Sequence, residues 1–425
     1  MSPTHRVSVA DGPLLATVLV PGSKSVSNRV LVCAALADGA SRIANLAPGD
    51  DTVAMLDCIG RLGAGVLPEH EPGVVTIEGA GGVLRAGPST LPCKLAGTTS
   101  RFVTALAALG AGPYTVDGEP PLRSRPMTPL HDALAALGAR VEASESWGHL
   151  PVVVTGPLRT SSAAVSVRGD ISSQYISALM MIAPYLPDGL RIELSTPLVS
   201  RSYVGITAAV MAQFGVDGVD VGESHVVVPA GRYRGADVSV EPDASSASYP
   251  LSAAAIAGGA VSVPGLTAAS LQGDAHYVEV LEAMGCEVRA DERGTTVLRE
   301  GPLRGIDIDM VDMSDLVPTL AVVAPFAHSR TTIRGVGFIR RKESDRLGDL
   351  CAELRRTGID ARETSDGLVI EPGPPHGAVL ATHHDHRLAM AFGLLGLVAD
   401  GIEVEDPDVV SKSWPDYWTM LEALA

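Results

Sequence analysis

Aromatic residues are scarce in this 425-residue sequence, and closely spaced cysteine pairs are absent. Phe, Trp and Tyr together make up only 4% of the chain, so close packing is expected to depend on its plentiful Gly and Ala. The five cysteines are scattered and include no Cys-x-x-Cys pair. This argues against a disulfide framework and against a zinc site, and it fits the reducing cytoplasm, where we expect the protein to lie.

Long apolar runs and excess positive charge are missing as well. The longest uncharged apolar stretch, about residues 389–399, is well short of the ~20 residues that span a bilayer. Residues 1–6 lead into no apolar signal core, so export is not expected. Because the formal net charge is −17, neither nucleic acid nor an anionic membrane surface is an expected partner.

What the chain does contain is one pattern that occurs six times. Each copy has a polar or Gly-rich head, an Ala/Leu-rich helix, a strand, a loop, a second helix and a further strand. In the fifth copy, for example, the second helix is predicted over residues 344–355. The six heads lie near Lys24, Gly97, Ser172, Ser245, Asp315 and Asp385.

The repeats also indicate where the domains divide. The first and fourth heads align without gaps, which suggests that three repeats were duplicated into two halves. A strand predicted over residues 6–19 precedes the first head, while the sixth repeat ends on a helix and lacks a closing strand. We therefore predict one domain over residues 22–235 (repeats 1–3). The other comprises residues 1–21 and 236–425 (repeats 4–6), completed by the N-terminal strands.

The first head has the composition of an anion site. A Pro-Gly turn at 21–22 is followed by three hydroxyl residues and two cations, Lys24 and Arg29, and then by a buried helix that starts near Ser25. A helix N-terminus presents free N–H groups and the positive end of its dipole to phosphate or carboxylate. The stretch alone is equally consistent with a capped helix and two surface cations. Recurrence of the head favours the anion site, because six helix N-termini could face one cleft.

Five motifs, in order along essentially the whole chain, resemble the enolpyruvyl transferase superfamily, most closely its shikimate-pathway members. They are Pro-Gly-Ser-Lys-Ser-Val-Ser-Asn-Arg at 21–29, Ala-Gly-Thr at 96–98, Ser-Ser-Gln at 172–174, Arg-Lys-Glu-Ser-Asp-Arg-Leu at 341–347 and Asp-His-Arg at 385–387. The resemblance implies an α/β fold: a two-domain inside-out α/β barrel of six βαβαββ repeats, three per domain, that closes on its substrates.

The resemblance also implies the reaction. The carboxyvinyl group of phosphoenolpyruvate would pass to the 5-hydroxyl of shikimate 3-phosphate through a tetrahedral intermediate, with release of phosphate. No metal, cofactor or covalent nucleophile is expected, and the protein is expected to be a monomer. Both substrates carry several negative charges, so cations and backbone donors must hold two phosphates and two carboxylates.

Site residues follow from the resemblance, position by position. Those implied for shikimate 3-phosphate are Lys24, Ser25, Arg29, Ser172, Ser173, Gln174, Ser200, Tyr203, Asp315 and Lys342. Those implied for phosphoenolpyruvate are Lys24, Gly97, Arg125, Gln174, Arg346, Arg387 and Lys412. Gly97 needs no side chain, because the ligand would approach the backbone there.

The chemistry requires one acid and one base, since the methylene carbon gains a proton and the attacking hydroxyl loses one. The resemblance offers Asp315 as the base and Glu343 as the acid, with Lys24 as a further participant in proton transfer. If the loose alignment of the fifth head slips by three residues, Asp312 becomes the alternative base. Glu343 stands beside Lys342, which favours the ionised form, so an acid role requires burial or substrate charge to offset the cations.

Some residues depart from the family pattern. Phe338 occupies a position that is usually polar, and Leu95 replaces a common Asn. The run of three histidines and an aspartate at 383–386 is interpreted as a helix head rather than a metal site, because adjacent residues cannot all point at one ion. Cys93 is interpreted as a buried small hydrophobe.

Two alternatives stay open at this point. One is carboxyvinyl transfer to UDP-N-acetylglucosamine, although residues 112–125 lack the Cys that such enzymes typically carry in this loop. The other is a non-catalytic paralogue that keeps the anion site without turnover, against which both Asp315 and Glu343 argue.

Overall fold

The computed structural model describes residues 3–158 and 164–425. Its Cα packing divides the chain into two compact units. We call Gly22–Val240 the continuous unit, and Met1–Pro21 together with Glu241–Ala425 the two-segment unit. The second break therefore falls between Val240 and Glu241, on the C-terminal side of Gly235.

The strands are short. In chain order they are β1 Thr4–Arg6, β2 Leu14–Thr17, β3 Ala40–Ala44, β4 Gly65–Pro68, β5 Val75–Glu78, β6 Ser89–Pro92, β7 Tyr114–Asp117, β8 Arg140–Ala143, β9 Val152–Thr155, β10 Ala164–Val167, β11 Leu190–Leu194, β12 Asp220–Val221, β13 His225–Val228, β14 Val238–Ser239, β15 Gly259–Pro264, β16 Glu287–Asp291, β17 Gly294–Arg299, β18 Asp307–Asp309, β19 Thr331–Arg334, β20 Ala361–Glu363, β21 Leu368–Ile370, β22 Val379–Leu380 and β23 Glu403–Glu405.

Helices connect these strands. They are α1 Lys24–Leu36, α2 Asp50–Leu62, α3 Gly97–Ala107, α4 Pro120–Arg123, α5 Thr128–Ala136, α6 Ser173–Ile182, α7 Ser202–Gln213, α8 Ala244–Ala257, α9 Tyr277–Met284, α10 Val317–Val323, α11 Gly348–Arg356, α12 His386–Gly396 and α13 Tyr417–Glu422. Short 3₁₀ segments cover Ala183–Tyr185, Gly273–His276, Val311–Leu316, Ala324–Phe326, Gly337–Arg341 and Pro407–Lys412.

The continuous unit contains three four-stranded sheets, ordered β14-β3-β5-β4, β6-β7-β9-β8 and β10-β11-β13-β12. In each sheet the first two strands are parallel and the remaining pairs are antiparallel. A parallel pair requires a crossover connection, which a helix such as α3 supplies between β6 and β7. Alternate residues of β7 and β9 are fully buried, as expected when a sheet has one face on the core.

The two-segment unit contains two four-stranded sheets, ordered β16-β17-β15-β2 and β18-β19-β21-β20, and a three-stranded sheet, β1-β23-β22. β2 is parallel to β15, and β1 is antiparallel to β23, so the N-terminal residues complete sheets formed by the second segment. The prediction of one strand over residues 6–19 is wrong. The chain turns at 11–13 between β1 and β2, where a Gly-Pro pair interrupts the extended backbone.

Central helices form the interior of each unit. α1, α3 and α6 pack together in the continuous unit, as do α8, α10 and α12 in the two-segment unit. Their residues are Ala- and Leu-rich and almost all buried, and they belong to two separate hydrophobic clusters, one per unit. All six start at or within two residues of the heads predicted from the repeats.

One second helix begins later than predicted. α11 starts at Gly348 rather than at residue 344, because Asp345 accepts hydrogen bonds from the N–H groups of Leu347 and Gly348. Residues 342–346 are thereby left outside the helix. The fold is mixed α/β with six small sheets in the described residues, as the sequence indicated; the inside-out barrel arrangement stays a prediction.

Within residues 3–158 and 164–425, none of the helices combines the length and the apolar character that crossing a membrane requires.

Candidate functional site

The head of α1 places Lys24 against a buried carboxylate that the sequence did not reveal. Ser23 caps the helix by accepting the N–H of Val26 at 3.4 Å. Lys24 Nζ lies 3.4 Å from Asp51 Oδ2, and both side chains are largely buried. Asp51 belongs to the first turn of α2. Because Asp51 balances part of its charge, Lys24 is held in place rather than being a mobile surface cation.

Arg29 is almost fully buried, at 1% exposure. Its Nε donates to Thr207 Oγ1 at 2.7 Å and its Nη2 donates to Ser177 Oγ at 3.0 Å. Nη1 donates to the carbonyl of Ser25 at 2.9 Å, and the guanidinium lies 5.7 Å from the Tyr203 ring centroid. Burial lowers the pKa of Arg29 to about 10. These contacts fix α1 against α6 and α7, so Arg29 is at least a structural anchor for the Ser25 head.

Gly97 opens α3 beside two guanidinium groups. A Cβ built at Gly97 would lie 2.6 Å from Nη1 of both Arg101 and Arg125. Arg101, which the sequence did not single out, is buried and donates from Nη1 to the Gly97 carbonyl at 2.8 Å. The helix head therefore combines backbone donors with two cations, an arrangement suited to an anion that approaches the backbone closely.

The head of α6 is joined to the head of α3. Ser172 caps α6 by accepting the N–H of Gln174 at 3.3 Å. Gln174 Nε2 donates to Thr98 Oγ1 at 3.2 Å. Ser173 follows as the first helical residue and is buried. Three of the predicted residues thus share one edge of the continuous unit's helix cluster with Gly97.

Ser200 lies just before α7 in an unusual backbone conformation. Its φ is 53°, a left-handed value that costs energy for residues other than glycine. Its carbonyl accepts the N–H of Tyr203 at 3.2 Å. Because strained backbone often accompanies function, this loop is consistent with a binding role for Ser200 and Tyr203.

Arg346 is the centre of an ion-pair network in the two-segment unit. It is 1% exposed. Its Nη1 donates to Asp315 Oδ1 at 2.9 Å, its Nη2 to Glu343 Oε2 at 2.7 Å and its Nε to Asp385 Oδ2 at 2.7 Å. Burial alone would lower the pKa of Arg346, but the three carboxylates outweigh it and raise the pKa. One guanidinium therefore bridges the proposed base and the proposed acid.

Asp315 contacts two further cations. Arg387 Nη2 donates to its Oδ2 at 2.8 Å, and Lys342 Nζ lies 3.8 Å from its Oδ1. Burial would raise the pKa of Asp315, but Arg387, Lys342 and Arg346 together hold it well below its usual range. Asp312, the alternative base, is exposed. The geometry favours Asp315 as the carboxylate of this cluster.

Glu343 and Lys342 have their own partners. Lys412 Nζ lies 3.4 Å from Glu343 Oε1, so Glu343 contacts two cations. Lys342 Nζ lies 5.9 Å from the centroid of the Phe338 ring. Phe338 thus offers a cation–π contact where the resemblance leads us to expect a polar side chain.

Asp385 caps α12 and neutralises Arg346 at the same time. Its Oδ1 accepts the N–H of Arg387 at 2.9 Å, and its side chain is fully buried. The neighbouring histidines diverge: His383 Nε2 lies 3.1 Å from Glu353, whereas His384 Nδ1 lies 4.0 Å from Asp406. The 383–386 run is therefore a helix head whose side chains contact different partners.

The sequence motifs located the helix heads but not all of the charged groups around them. Asp51, which pairs with Lys24, and Arg101, which lies beside Gly97, were not predicted as site residues. Asp385 was predicted as a helix head but not as a partner of Arg346. A usable signal existed for Arg101, which lies one turn after Gly97 on a helix without other charges. Cys93, interpreted as a buried hydrophobe, is fully buried.

Comparison with known proteins gives consistent matches over the whole chain. The family model described as "EPSP synthase (3-phosphoshikimate 1-carboxyvinyltransferase)" matches residues 10–421. A curated 3-phosphoshikimate 1-carboxyvinyltransferase from Trichormus variabilis is 42% identical over 417 residues, covering 98% of both chains. A protein of the same name from Methanoculleus marisnigri is 42% identical over 412 residues, covering 96% of this chain and 97% of its own.

Solved structures with the same fold are also found. EPSP synthase from Acinetobacter baumannii superposes with a TM-score of 0.84 at 24% identity, covering 100% of this chain and 98% of that one. The enolpyruvyl transferase NikO from Streptomyces tendae gives a TM-score of 0.79 at 18% identity, covering 100% of this chain and 98% of that one. At these identities the two structures establish the fold.

Proposed function

The chain belongs to the EPSP synthase family, and on that premise we propose that it transfers the carboxyvinyl group of phosphoenolpyruvate to the 5-hydroxyl of shikimate 3-phosphate. The products are 5-enolpyruvylshikimate 3-phosphate and phosphate, as the shikimate pathway requires. The curated relatives named above carry the name of this transferase, which favours shikimate 3-phosphate over UDP-N-acetylglucosamine as the acceptor. A non-catalytic paralogue is disfavoured because the carboxylates needed for turnover are present.

The observation that carries the proposal is the sharing of Arg346 by Asp315 and Glu343. In the addition step the acceptor oxygen bonds to C2 of phosphoenolpyruvate while a proton is added to its methylene carbon. In the elimination step that methyl group loses a proton and phosphate departs, which restores the double bond. Both steps need an acid and a base held apart at fixed positions, and one buried guanidinium provides that spacing.

Asp315 is proposed as the base and Glu343 as the acid. Arg387, Lys342 and Arg346 hold the Asp315 pKa well below its usual range, so this carboxylate is ionised but weakly basic. Anionic substrates that bind Arg387 and Lys342 would compete with Asp315 for those cations and raise its pKa toward a useful value. Glu343 keeps contact with Lys412 and Arg346, and a nearby substrate phosphate would favour its protonated form. Lys24 is proposed to assist proton transfer.

Substrate contacts are proposed from the same residues. For shikimate 3-phosphate we propose Lys24, Ser25, Arg29, Ser172, Ser173, Gln174, Ser200, Tyr203, Asp315 and Lys342. For phosphoenolpyruvate we propose Lys24, Gly97, Arg125, Gln174, Arg346, Arg387 and Lys412. Fixed cations at the helix heads support these assignments, since charge-assisted bonds to phosphate and carboxylate are strong. The continuous and two-segment units are proposed to be the two domains of a monomeric protein.

The acceptor is tested by measuring phosphate release from phosphoenolpyruvate with shikimate 3-phosphate and with UDP-N-acetylglucosamine, offered separately. We expect release with shikimate 3-phosphate alone. Release with the sugar nucleotide instead would overturn the acceptor, and folded protein that is silent with both would support a binding paralogue.

The roles are tested with Asp315→Asn and Glu343→Gln. Each should lower kcat by about 10²–10⁴-fold, because each removes a proton-transfer group. Matched controls are Asp307→Asn and Glu371→Gln, which alter carboxylates in exposed or half-exposed arginine pairs of the same unit. Equal losses in the controls would contradict the assignment, as would full activity of Glu343→Gln.

A further inference from the structure

A buried carboxyl group, Asp274, lies behind Arg387 and takes no part in the reaction described above. It belongs to the 3₁₀ segment Gly273–His276 and is 5% exposed. Ser245, in the first turn of α8, donates its hydroxyl hydrogen to Asp274 Oδ2. In the described part of the chain no ion pair is formed by Asp274. A buried acid that is hydrogen-bonded but unpaired is the kind of group whose protonation changes with its surroundings.

Ser245 connects Asp274 to the proposed substrate site. Its Oγ accepts a hydrogen bond from Arg387 Nη2 at 3.4 Å. The same nitrogen donates to Asp315 Oδ2 at 2.8 Å. Arg387 is itself buried, at 6% exposure. Ser245 and Asp315 therefore orient Nη2 of Arg387 directly, and Asp274 does so through Ser245.

The surroundings of Asp274 are mostly acidic. Four groups from the elements packed around it act on its charge: Asp243 and Ser245 of the α8 head, Asp315 of the segment Val311–Leu316, and Arg387 of α12. His276, on its own segment, pairs with the exposed Glu279 at 2.7 Å. Burial and the charge of Asp315 raise the pKa of Asp274 to about 7, while Arg387 and Ser245 act in the opposite direction.

We propose that Asp274 is a positioning residue for Arg387 that takes up a proton when phosphoenolpyruvate binds there. The inference rests on the proposed function, since phosphoenolpyruvate supplies the anion. A bound anion adds negative charge beside Arg387, so the net positive charge that stabilises ionised Asp274 becomes smaller. The protonated form of Asp274 is then favoured. Once Asp274 is neutral, its charge no longer competes with the substrate and Asp315 for the positive charge of Arg387.

The sign of the pH effect follows from linkage. If binding raises the pKa of Asp274, binding is tighter when the group is already protonated, at low pH. Affinity for phosphoenolpyruvate therefore falls as the pH rises through the range in which Asp274 titrates. The fall is about tenfold for each unit by which binding raises that pKa.

The test compares the wild-type protein with Asp274→Asn. KM for phosphoenolpyruvate and its calorimetric Kd are measured from pH about 6 to about 9, with heats taken in two buffers of different ionisation enthalpy. We expect the wild-type affinity to fall with pH and binding to take up protons, and both effects to shrink in the variant. Titration of phosphoenolpyruvate itself is common to both proteins and cancels. Identical pH dependence in the two proteins would overturn the proposal.

A second pair of variants keeps the test decisive if Asp274→Asn does not fold. Ser245→Ala removes a hydrogen bond that lowers the pKa of Asp274, so the pH-dependent fall in affinity should move to higher pH. Ser252→Ala is the matched control, because Ser252 is buried in the same helix and its hydroxyl pairs with Tyr277 at 2.9 Å. A shift in both variants, or in neither, contradicts the proposal.

Failure of the two proposals can be told apart. Wild-type turnover with shikimate 3-phosphate, combined with unchanged pH dependence in the variants, rejects only the role of Asp274. Absence of turnover rejects the proposed function, and calorimetry with phosphoenolpyruvate alone still decides whether binding at Arg387 takes up a proton.

Discussion

Among single residues, Gly97 matters because it has no side chain beside the guanidinium groups of Arg101 and Arg125. Two guanidinium groups would lie 2.6 Å from a Cβ at this position. Gly97→Ala is therefore expected to displace Arg101 or Arg125 and to raise KM for phosphoenolpyruvate by about tenfold or more, a loss of roughly 1.4 kcal/mol. KM for shikimate 3-phosphate should change much less. Steady-state kinetics with each substrate varied in turn measures both.

Gly60→Ala is the control, because it lies within α2 and its Cβ would meet only Val66 Cγ2 at an ordinary 3.7 Å. That change should leave both KM values alone and slightly raise the free energy of unfolding. If Gly97→Ala also leaves KM for phosphoenolpyruvate unchanged, the ligand does not approach the α3 head.

His131 is a buried imidazole that lowers the free energy of unfolding at low pH. It is fully buried, and both ring nitrogens lack a hydrogen-bond partner in the described residues. Burial lowers the pKa of His131 to about 4, from 6.5 for an exposed group. The unfolded chain thus binds a proton that the folded protein does not, so stability is lost as the pH falls from about 6.5 toward about 4.

His131→Phe should remove that part of the acid sensitivity. Between pH about 7 and about 5 the wild type should lose about 2 kcal/mol more than the variant in urea unfolding. His70→Phe, at an exposed position, should unfold with the pH dependence of the wild type. Equal acid sensitivity in wild type and His131→Phe would show that His131 becomes protonated without unfolding.

At the scale of elements, four of the six central helices begin with a capping side chain. Ser23, Ser172, Asp243 and Asp385 each accept an N–H of the first turn. Asp385 also neutralises Arg346, which is 1% exposed. One side chain thus sets the start of α12 and the position of the cation shared by the proposed acid and base.

Asp385→Ala is therefore expected to destabilise the folded protein. It removes the cap of α12 and takes one of three carboxylate partners from the buried Arg346 guanidinium, which should lower the free energy of unfolding by about 3–5 kcal/mol. The control Asp307→Ala breaks an exposed pair with Arg334 and should cost less than about 1 kcal/mol. Chemical denaturation measures both, and equal losses would mean that Arg346 finds other partners.

The same elements show what the sequence could predict. The starts of α1, α3, α6, α8 and α12 followed from local signals, since a polar head before an Ala/Leu run determines where a helix begins. The partners of those heads did not follow. Asp51 approaches Lys24 from another helix, and Asp274 reaches Ser245 from a 3₁₀ segment, so these contacts depend on tertiary packing that no local pattern contains. The predicted start of α11 was wrong because the Asp345 side chain accepts hydrogen bonds from the N–H groups of Leu347 and Gly348, so the helix starts later, at Gly348.

At the scale of the whole molecule, strand β14 decides where the continuous unit ends. Val238 and Ser239 pair with Ile43 and Ala44, and Asn45 Nδ2 donates to the Val240 carbonyl at 2.8 Å. These contacts lie beyond Gly235, where the repeats placed the boundary.

Two fragments, 22–240 and 22–235, test this boundary. The longer fragment retains β14 and is expected to unfold cooperatively, whereas the shorter one loses a strand of its first sheet and should unfold at a lower urea concentration. Circular dichroism during urea titration measures the difference. Indistinguishable midpoints would place the boundary at Gly235, as the repeats predicted.

The pairing of β1 with β23 has a consequence for how the protein is made. Ribosomes deliver the chain from its N-terminus, and domains generally fold as units during synthesis. Residues Thr4–Arg6 leave the ribosome well before their partners Glu403–Glu405, and the Asp11 N–H bonds to the carbonyl of Ala425. β1 therefore has no partner strand while Gly22–Val240 can already fold. Nascent chains stalled before β23 should consequently be cleaved by protease at β1, whereas β1 of the full chain should be protected.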